Sequence, residues 1–330
     1  MPNATELRLP ATAGEAADFS QGSIFFVGTA TVILRYAGFT ILTDPNFLHA
    51  GDHVHLGYGL TAERLTNPAM EIEDLPPLDF CVLSHYHGDH FDRVAEERLP
   101  KHLPIITTEH AASNLKDKGF DAPVALDTWD AVTVHKGGAA VRVTSMPGRH
   151  GPPVVEKFLP PVMGSMLEFE PEAGRTALRL YITGDTLVFD DLNEIPRRYP
   201  DIDLALFHLG GTQIMGILLT MDAEQGVEAI RIVNPREVIP IHYNDYEVFK
   251  SPLEDFKKAV EEAGFADRVK YLSHGETYHF TVPASGARVS HVATKGEGGG
   301  EVDPEVDRAS TSDRARLNRH GTSSHDGRGA

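Results

Sequence analysis

Short runs rich in Val, Ile and Phe open the chain at Ser23–Gly28, Thr31–Tyr36 and Phe39–Thr43, and single turn signals such as Ala37-Gly38 separate them. That spacing predicts a β-meander. A loop containing Gly and Pro is expected from Pro45 to Leu78. Asp79–Ser84 then gives a nearly continuous apolar run, as a strand covered on both faces does. A helix over Phe91–Leu99, a strand over Pro104–Thr108 and a helix over Ala111–Lys118, stopped by Gly119, follow. Val132–His135 and Ala140–Ser145 flank Lys136-Gly137-Gly138 and predict a hairpin. In the second half, Met166–Phe169, Ala177–Thr183, Leu204–Phe207 and Val238–His242 read as strands. Met221–Val233 reads as a helix with Thr220 or Asp222 as N-cap, and Leu253–Ala263 as a helix stopped by Gly264. Val269–Ser273 with Tyr278–Val282 reads as a closing hairpin. Strand meanders followed by helices occur twice, an order that suits an α/β fold of two mixed sheets packed face to face with helices outside.

Composition narrows the function classes. With 330 residues, 41% hydrophobic and 24% charged, the chain is apolar enough to bury a substantial core. It has no apolar run of about 18 residues, so no integral membrane association is expected. The opening MPNATELRLPATAGEAADFS lacks the basic and apolar regions of a secretory signal, which points to a cytoplasmic protein. The single cysteine, Cys81, excludes an intrachain disulfide framework and a Cys-rich metal site. Thirty basic against forty-eight acidic side chains give a net charge of −18, which opposes binding to nucleic acid. Residues 286–330 are rich in Gly, Ser, Asp and Arg and carry seven charges of each sign, so the acidity belongs to the body. Such a segment buries too little apolar surface to offset its ordering entropy. The expected organisation is therefore an extension over 1–20, one domain over 21–285 and a disordered tail over 286–330.

The informative segment is Ser84-His85-Tyr86-His87-Gly88-Asp89-His90, directly after the apolar strand. Four potential ligands fall within six residues of a Gly-containing turn. Imidazole with carboxylate suits zinc, iron or manganese, and the absence of thiolate argues against a purely structural zinc knuckle. His85 and His87 share a side of an extended segment, while Asp89 and His90 lie on the following turn, so the segment can serve two metal positions. Other candidates also stand at strand ends: His150 in MPGRH, Asp185 in YITGD, His208 in LFHLGG and His242 in IPIHY. Asp44, in LTDP, has an alternative reading as a turn initiator.

The spacing of His85, His87, Asp89 and His90 resembles the HxHxDH signature of the metallo-β-lactamase superfamily. The later motifs occur in that family's order over residues 20–285. The resemblance implies a four-layer αββα sandwich and a binuclear site. His85, His87 and His150 would hold one metal, Asp89, His90 and His242 the other, and Asp185 would bridge them. Asp44 would support the ligand loops. Two Zn2+ are implied, with Mn2+ or Fe2+ also suited, and the metals would turn a shared water into hydroxide. Asp89 would orient that water and accept its proton.

His87 stands where the diiron flavoprotein oxidoreductases of this fold place Glu, and no flavodoxin-like domain follows. The phrases GTATVILRYAGFTILTDP, TMDAEQG and IPIHYNDY look closest to the branch of L-ascorbate-6-phosphate lactonase and the N-acylphosphatidylethanolamine phospholipase D-like enzymes, although Thr29 departs from the His or other polar residue of many relatives. The implied activity is hydrolysis of an ester, lactone, amide or phosphodiester bond in a small-molecule substrate. A phospholipase or phosphodiesterase-type member and a mono-iron dioxygenase are the alternatives. The apolar loops Gly151–Met163 and Gly210–Leu219 suit either a pocket wall for a partly apolar substrate or a homo-oligomer contact. His208 is the expected catalytic contact to substrate or leaving group, with a satisfied strand-end histidine as the other reading. Arg149 and Tyr243, beside ligands, are candidates to touch substrate. His53 and His55 are expected at the loop surface.

Overall fold

A computed structural model describes residues 5–11, 17–55, 61–171, 175–283 and 290–294. Its framework is two mixed sheets. The eight-stranded sheet runs in the order Ser290–Thr294, Thr277–Thr281, Gln21–Gly28, Thr31–Tyr36, Phe39–Thr43, Phe80–Val82, Ile105–Thr107 and Pro123–Ala125. The seven-stranded sheet runs Thr5–Arg8, Ala131–Lys136, Ala139–Met146, Gly164–Glu170, Leu178–Ile182, Leu204–His208 and Glu237–Ile241.

Side-chain alternation explains why these strands stack into layers. In Thr31–Tyr36, Val32, Leu34 and Tyr36 join the apolar cluster between the sheets, while Ile33 points to the outer cluster that covers the first sheet. Across the gap, Leu180, Ile182, Leu204 and Leu206 face inward, and Tyr181, Ala205 and Phe207 face outward. Residues of the helices Arg93–Arg98 and Glu109–Asp117 pack in one outer cluster, those of Ala223–Val233 and Leu253–Glu262 in the other. The result is the αββα sandwich that the order of elements suggests.

Several boundaries differ from expectation for identifiable reasons. Residues 269–273 form no strand: Val269 makes one isolated bridge to Val238, and the segment is apolar because Val269 and Leu272 pack into the core. The closing strand Thr277–Thr281 pairs instead with Gln21–Gly28 and with Ser290–Thr294. A strand therefore lies inside the segment expected to be tail, and residues 295–330 fall outside the described residues. Within the expected extension, Thr5–Arg8 runs parallel to Ala131–Lys136. The 45–78 loop contains a small hairpin, His53–His55 with Thr61–Glu63. The predicted hairpin at Gly137-Gly138 forms, and both glycines have positive φ, 56° and 85°, as a tight two-residue turn requires.

The topology matters most at one edge. Phe39–Thr43 runs parallel to Phe80–Val82, and Leu178–Ile182, Leu204–His208 and Glu237–Ile241 are mutually parallel. Their carboxyl ends carry Asp44, His85, Asp185, His208 and His242, so the sheets deliver these residues together, where parallel strands commonly build sites.

The core between the sheets should be sensitive to truncation at Phe169. Its fully buried ring meets Tyr36 edge-on at 5.0 Å and Phe39 at 6.3 Å. Phe169→Ala is expected to cost about 3–5 kcal/mol, read as a lowered denaturation midpoint at unchanged slope.

Candidate metal centre

The two halves of the ligand set assemble at the strand ends. His85, His87 and His150 bring one donor atom each into a cluster within 4.8 Å, and Asp89, His90, Asp185 and His242 do the same. His85 Nε2 lies 3.0 Å from His87 Nδ1. His90 Nε2 is 3.4 Å from Asp185 Oδ2, and His242 Nε2 is 3.4 Å from Asp89 Oδ2 and 3.6 Å from Asp185 Oδ1. The His85 and His90 rings, 4.2 Å apart, join the clusters.

Backbone strain concentrates here. His242 has φ 60° and Asp44 φ 33°, both in the left-handed region that side chains avoid. The His242 amide donates to Thr29 O at 2.6 Å, and Thr29 itself sits at φ 51°. Gly184, before Asp185, has φ 64°, and a Cβ there would meet Met163 O at 2.6 Å.

Hydrogen bonds behind the ligands assign their tautomers. His150 Nδ1–H donates to Leu219 O at 3.2 Å and His242 Nδ1–H to Leu209 O at 3.1 Å. His85 Nδ1–H donates to Ser84 Oγ at 3.0 Å, and Ser84 Oγ–H donates to Asp44 Oδ1 at 2.8 Å. His90 Nδ1 faces the same Asp44 oxygen at 3.4 Å. Each Nε2 is thereby left as a lone-pair donor, the arrangement that orients a metal-binding imidazole. Asp185 Oδ2 accepts from Thr220 Oγ at 2.8 Å, so Thr220 supports a ligand while Asp222 caps the helix. The centre fits cations on a further observation: among the described residues, Asp89 Oδ1, His90 Nε2, Asp185 Oδ1 and His242 Nε2 are buried without hydrogen-bond partners. Orphaned polar atoms are costly in protein interiors, and four converging on one point are what a metal ion satisfies.

The two clusters differ electrostatically. Burial pushes the His85 and His150 imidazoles down, and His87 down to about 3, so this trio is neutral and ready to ligate. Burial also opposes charge on His90 and His242, but Asp185 and Asp89 outweigh it and push both upward. Reciprocally, against its own burial, Asp89 is lowered to about 2, chiefly by His90 and His242, and Asp185 is held well below the usual range.

Behind this layer lie residues whose role the sequence does not announce. Asp245, fully buried, accepts from Thr29 N at 2.7 Å and from Thr66 Oγ, and faces His274 Nε2 at 3.3 Å. It steadies the loop whose carbonyl holds the His242 amide. Arg64, also fully buried, donates to Thr66 O at 3.0 Å. The only hint of either in the sequence is a charged residue near apolar neighbours.

A cavity of about 950 Å3 opens beside His87 and His150. Leu48, Val54, Phe91 and residues 158–162 form apolar walls, so the Gly151–Met163 loop lines the site, whereas the Gly210–Leu219 loop does not. Phe158 is 54% exposed. His53 and His55, expected at the surface, are exposed there and also line the cavity mouth. Three expectations meet different positions. Arg149 stacks over Phe189 and faces Glu156, a residue of the cavity lining, without lining the cavity itself. Tyr243 is buried and donates to Leu272 O at 2.8 Å. His208 is 0% exposed and lies behind the cavity lining, as His90 and His242 do.

Comparison with known proteins matches residues 39–243 to the beta-lactamase superfamily domain. The chain belongs to the metallo-β-lactamase superfamily. A UPF0173 metal-dependent hydrolase of Archaeoglobus fulgidus is 30% identical over 212 residues, 61% of this chain and 82% of its own length. One from Staphylococcus saprophyticus is 29% identical over 264 residues, 77% of this chain and 98% of its own. These relatives place this superfamily member in the UPF0173 family of metal-dependent hydrolases. Its fold is shared with an isothiocyanate hydrolase from Delia radicum gut bacteria (TM-score 0.64, 20% identity, covering 77% and 98% of the two chains). A metallo hydrolase from Ignicoccus hospitalis shares it too (TM-score 0.58, 23% identity, 79% and 99%).

Because Asp185 and Asp89 favour the protonated form of His90 and His242, whereas ligation needs the neutral ring, metal uptake should release protons and weaken as pH falls. Calorimetric zinc titration in two buffers of different ionisation enthalpy should give buffer-dependent heats. Identical heats in both would contradict this charge arrangement.

Proposed function

We propose that this chain is a binuclear metal-dependent hydrolase that cleaves an ester, lactone, amide or phosphodiester bond in a small, partly apolar substrate. The observation that carries the reading is the junction of two clusters, one of three neutral imidazoles and one of two imidazoles with two carboxylates, beside a cavity with apolar residues along part of its wall. His85, His87 and His150 would hold one cation and Asp89, His90 and His242 the other, with Asp185 shared. Zinc suits this donor set best, and manganese or iron(II) also fit it. Bound cations there would make a water molecule acidic enough to attack near neutral pH and would polarise the bond under attack.

The remaining work falls to the protein's own groups. Asp89, with Oδ1 unpartnered, is placed to accept a proton from an attacking water and to orient it. The Asp185 carboxylate is fixed by Thr220 and lies between the two imidazoles of its cluster. Leu48, Val54, Phe91 and the 158–162 segment exclude water from one side and favour a substrate with an apolar part. The likeness of GTATVILRYAGFTILTDP and IPIHYNDY to the ascorbate-6-phosphate lactonase and phospholipase D-like branch supports lactones and phosphodiesters as first candidates. In the described residues no helix is long and apolar enough to cross a membrane.

Metal analysis of purified protein should return about two equivalents of a transition metal per chain, and one equivalent or fewer after reconstitution would sink the binuclear reading. Asp185→Asn keeps the side chain's shape and removes the charge shared by both clusters. It and Asp89→Asn should each lower turnover by orders of magnitude on whichever lactone, phosphodiester or β-lactam the wild type cleaves. Full activity in both variants would end the hydrolase reading.

A further inference from the structure

Among the described residues, His208 is a buried imidazole outside those two clusters, and with Asp44 and His90 it forms a third buried group whose donor atoms lie within 4.8 Å of one another. It closes the strand Leu204–His208, and its ring lies 5.8 Å from that of His90 and 5.6 Å from that of His242. Thr183 fixes it on the far side. The His208 amide donates to Thr183 Oγ at 2.8 Å, and the hydroxyl in turn faces His208 Nδ1 at 3.3 Å. With Nδ1 taken by a hydroxyl donor, the ring proton resides on Nε2. That nitrogen faces Asp44 Oδ2 at 3.5 Å, a contact long for a hydrogen bond, and has no other partner among the described residues.

Asp44 is where the matter is decided. Its two oxygens serve different sides of the centre. Oδ1 accepts from Ser84 N and Ser84 Oγ, both at 2.8 Å, and faces His90 Nδ1 at 3.4 Å. Through Ser84 it reaches His85, and directly it reaches His90, so this one oxygen orients a ligand in each cluster. Oδ2 faces His208 Nε2. The carboxylate is buried, sits on a left-handed backbone at φ 33°, and among the described residues has no Lys or Arg in an ion pair. Without a donor on Oδ2, such a carboxylate turns about its Cβ–Cγ bond to share what donors remain, and Oδ1 leaves the line to His90.

We propose that His208 is a positioning residue that acts through Asp44: it anchors Oδ2 so that Oδ1 holds His90, and through Ser84 His85, in the metal-binding orientation. This rests on the metal-dependent reading above. It also gives a fully buried histidine a role that needs no contact with substrate. Outer partners of metal-binding imidazoles typically set affinity by 10–100-fold, and the effect is expected first at the Asp89–His90–Asp185–His242 cluster, which Asp44 touches directly.

The test uses full-length protein stripped by chelator and titrated with zinc against a chromophoric chelator. Wild type should bind two equivalents. His208→Leu fills the space but offers no donor, and should weaken the second equivalent by about 10–100-fold. His208→Gln places an amide N–H near the position of Nε2, and should restore affinity to within a few-fold of wild type. Asp44→Asn should weaken the same equivalent, and adding His208→Leu to it should cost little more, because both act on one path. A purely structural histidine would lower the melting temperature of metal-free protein and leave zinc affinity unmoved. Wild-type zinc affinity in His208→Leu, or full additivity with Asp44→Asn, overturns the proposal while leaving the binuclear reading intact. A third wild-type equivalent lost in His208→Gln would make His208 a ligand and overturn it too. Failure of the wild type to bind two equivalents overturns the binuclear reading and the positioning role together.

Discussion

Two carboxylates, Asp89 and Asp185, lie out of water within reach of the same imidazoles, and the rest of the centre follows from what that demands. An ionised carboxylate in a protein interior is tolerated only beside opposite charge or a metal. Asp185 is 2% exposed, and its neighbours His90 and His242 come from different sheets. The gap between the sheets must therefore close at one edge to a definite width. Asp44 and His242 in left-handed backbone, and Gly184 against Met163 O, are the local cost of bringing strand ends that close. The inter-sheet core around Phe169 and Tyr36 supplies the stabilisation that tolerates such strain.

Much of this was legible in the sequence because its strongest signals are local. Thr31–Tyr36 and Phe39–Thr43 were readable to the residue, since hydrophobic runs there end in turn residues. The ligands His85, His87, Asp89 and His90 fall in one turn, so their chemistry is visible without knowing the fold. His150, Asp185 and His242 each follow a strand, and the structure brings them to the expected clusters.

What stayed hidden depends on partners distant along the chain. Asp245 matters because Thr29 is 216 residues away and adjacent in space, and Thr220 because Asp185 is 35 residues away and adjacent in space. No window of sequence contains both members of either pair. Residues 269–273 mark a different limit, because hydrophobic pattern reports burial and not backbone pairing, and Val269 and Leu272 are buried without forming a ladder. Thr5–Arg8 is the converse: a largely polar edge strand whose pairing with Ala131–Lys136 leaves no apolar trace. The contact of His208 with Asp44 falls in the same category, since the two are far apart in sequence.

The packing of four ligands into residues 85–90 has a consequence for how metal and folding are coupled. A set this dense does not need the sandwich in order to meet a cation. During synthesis the turn emerges well before His150, Asp185 and His242 exist, and a free chain can chelate through those side chains alone. Affinity of the unfolded chain for the ion subtracts from the stabilisation the ion gives the native state. The metal should therefore stabilise this fold by less than its full binding free energy.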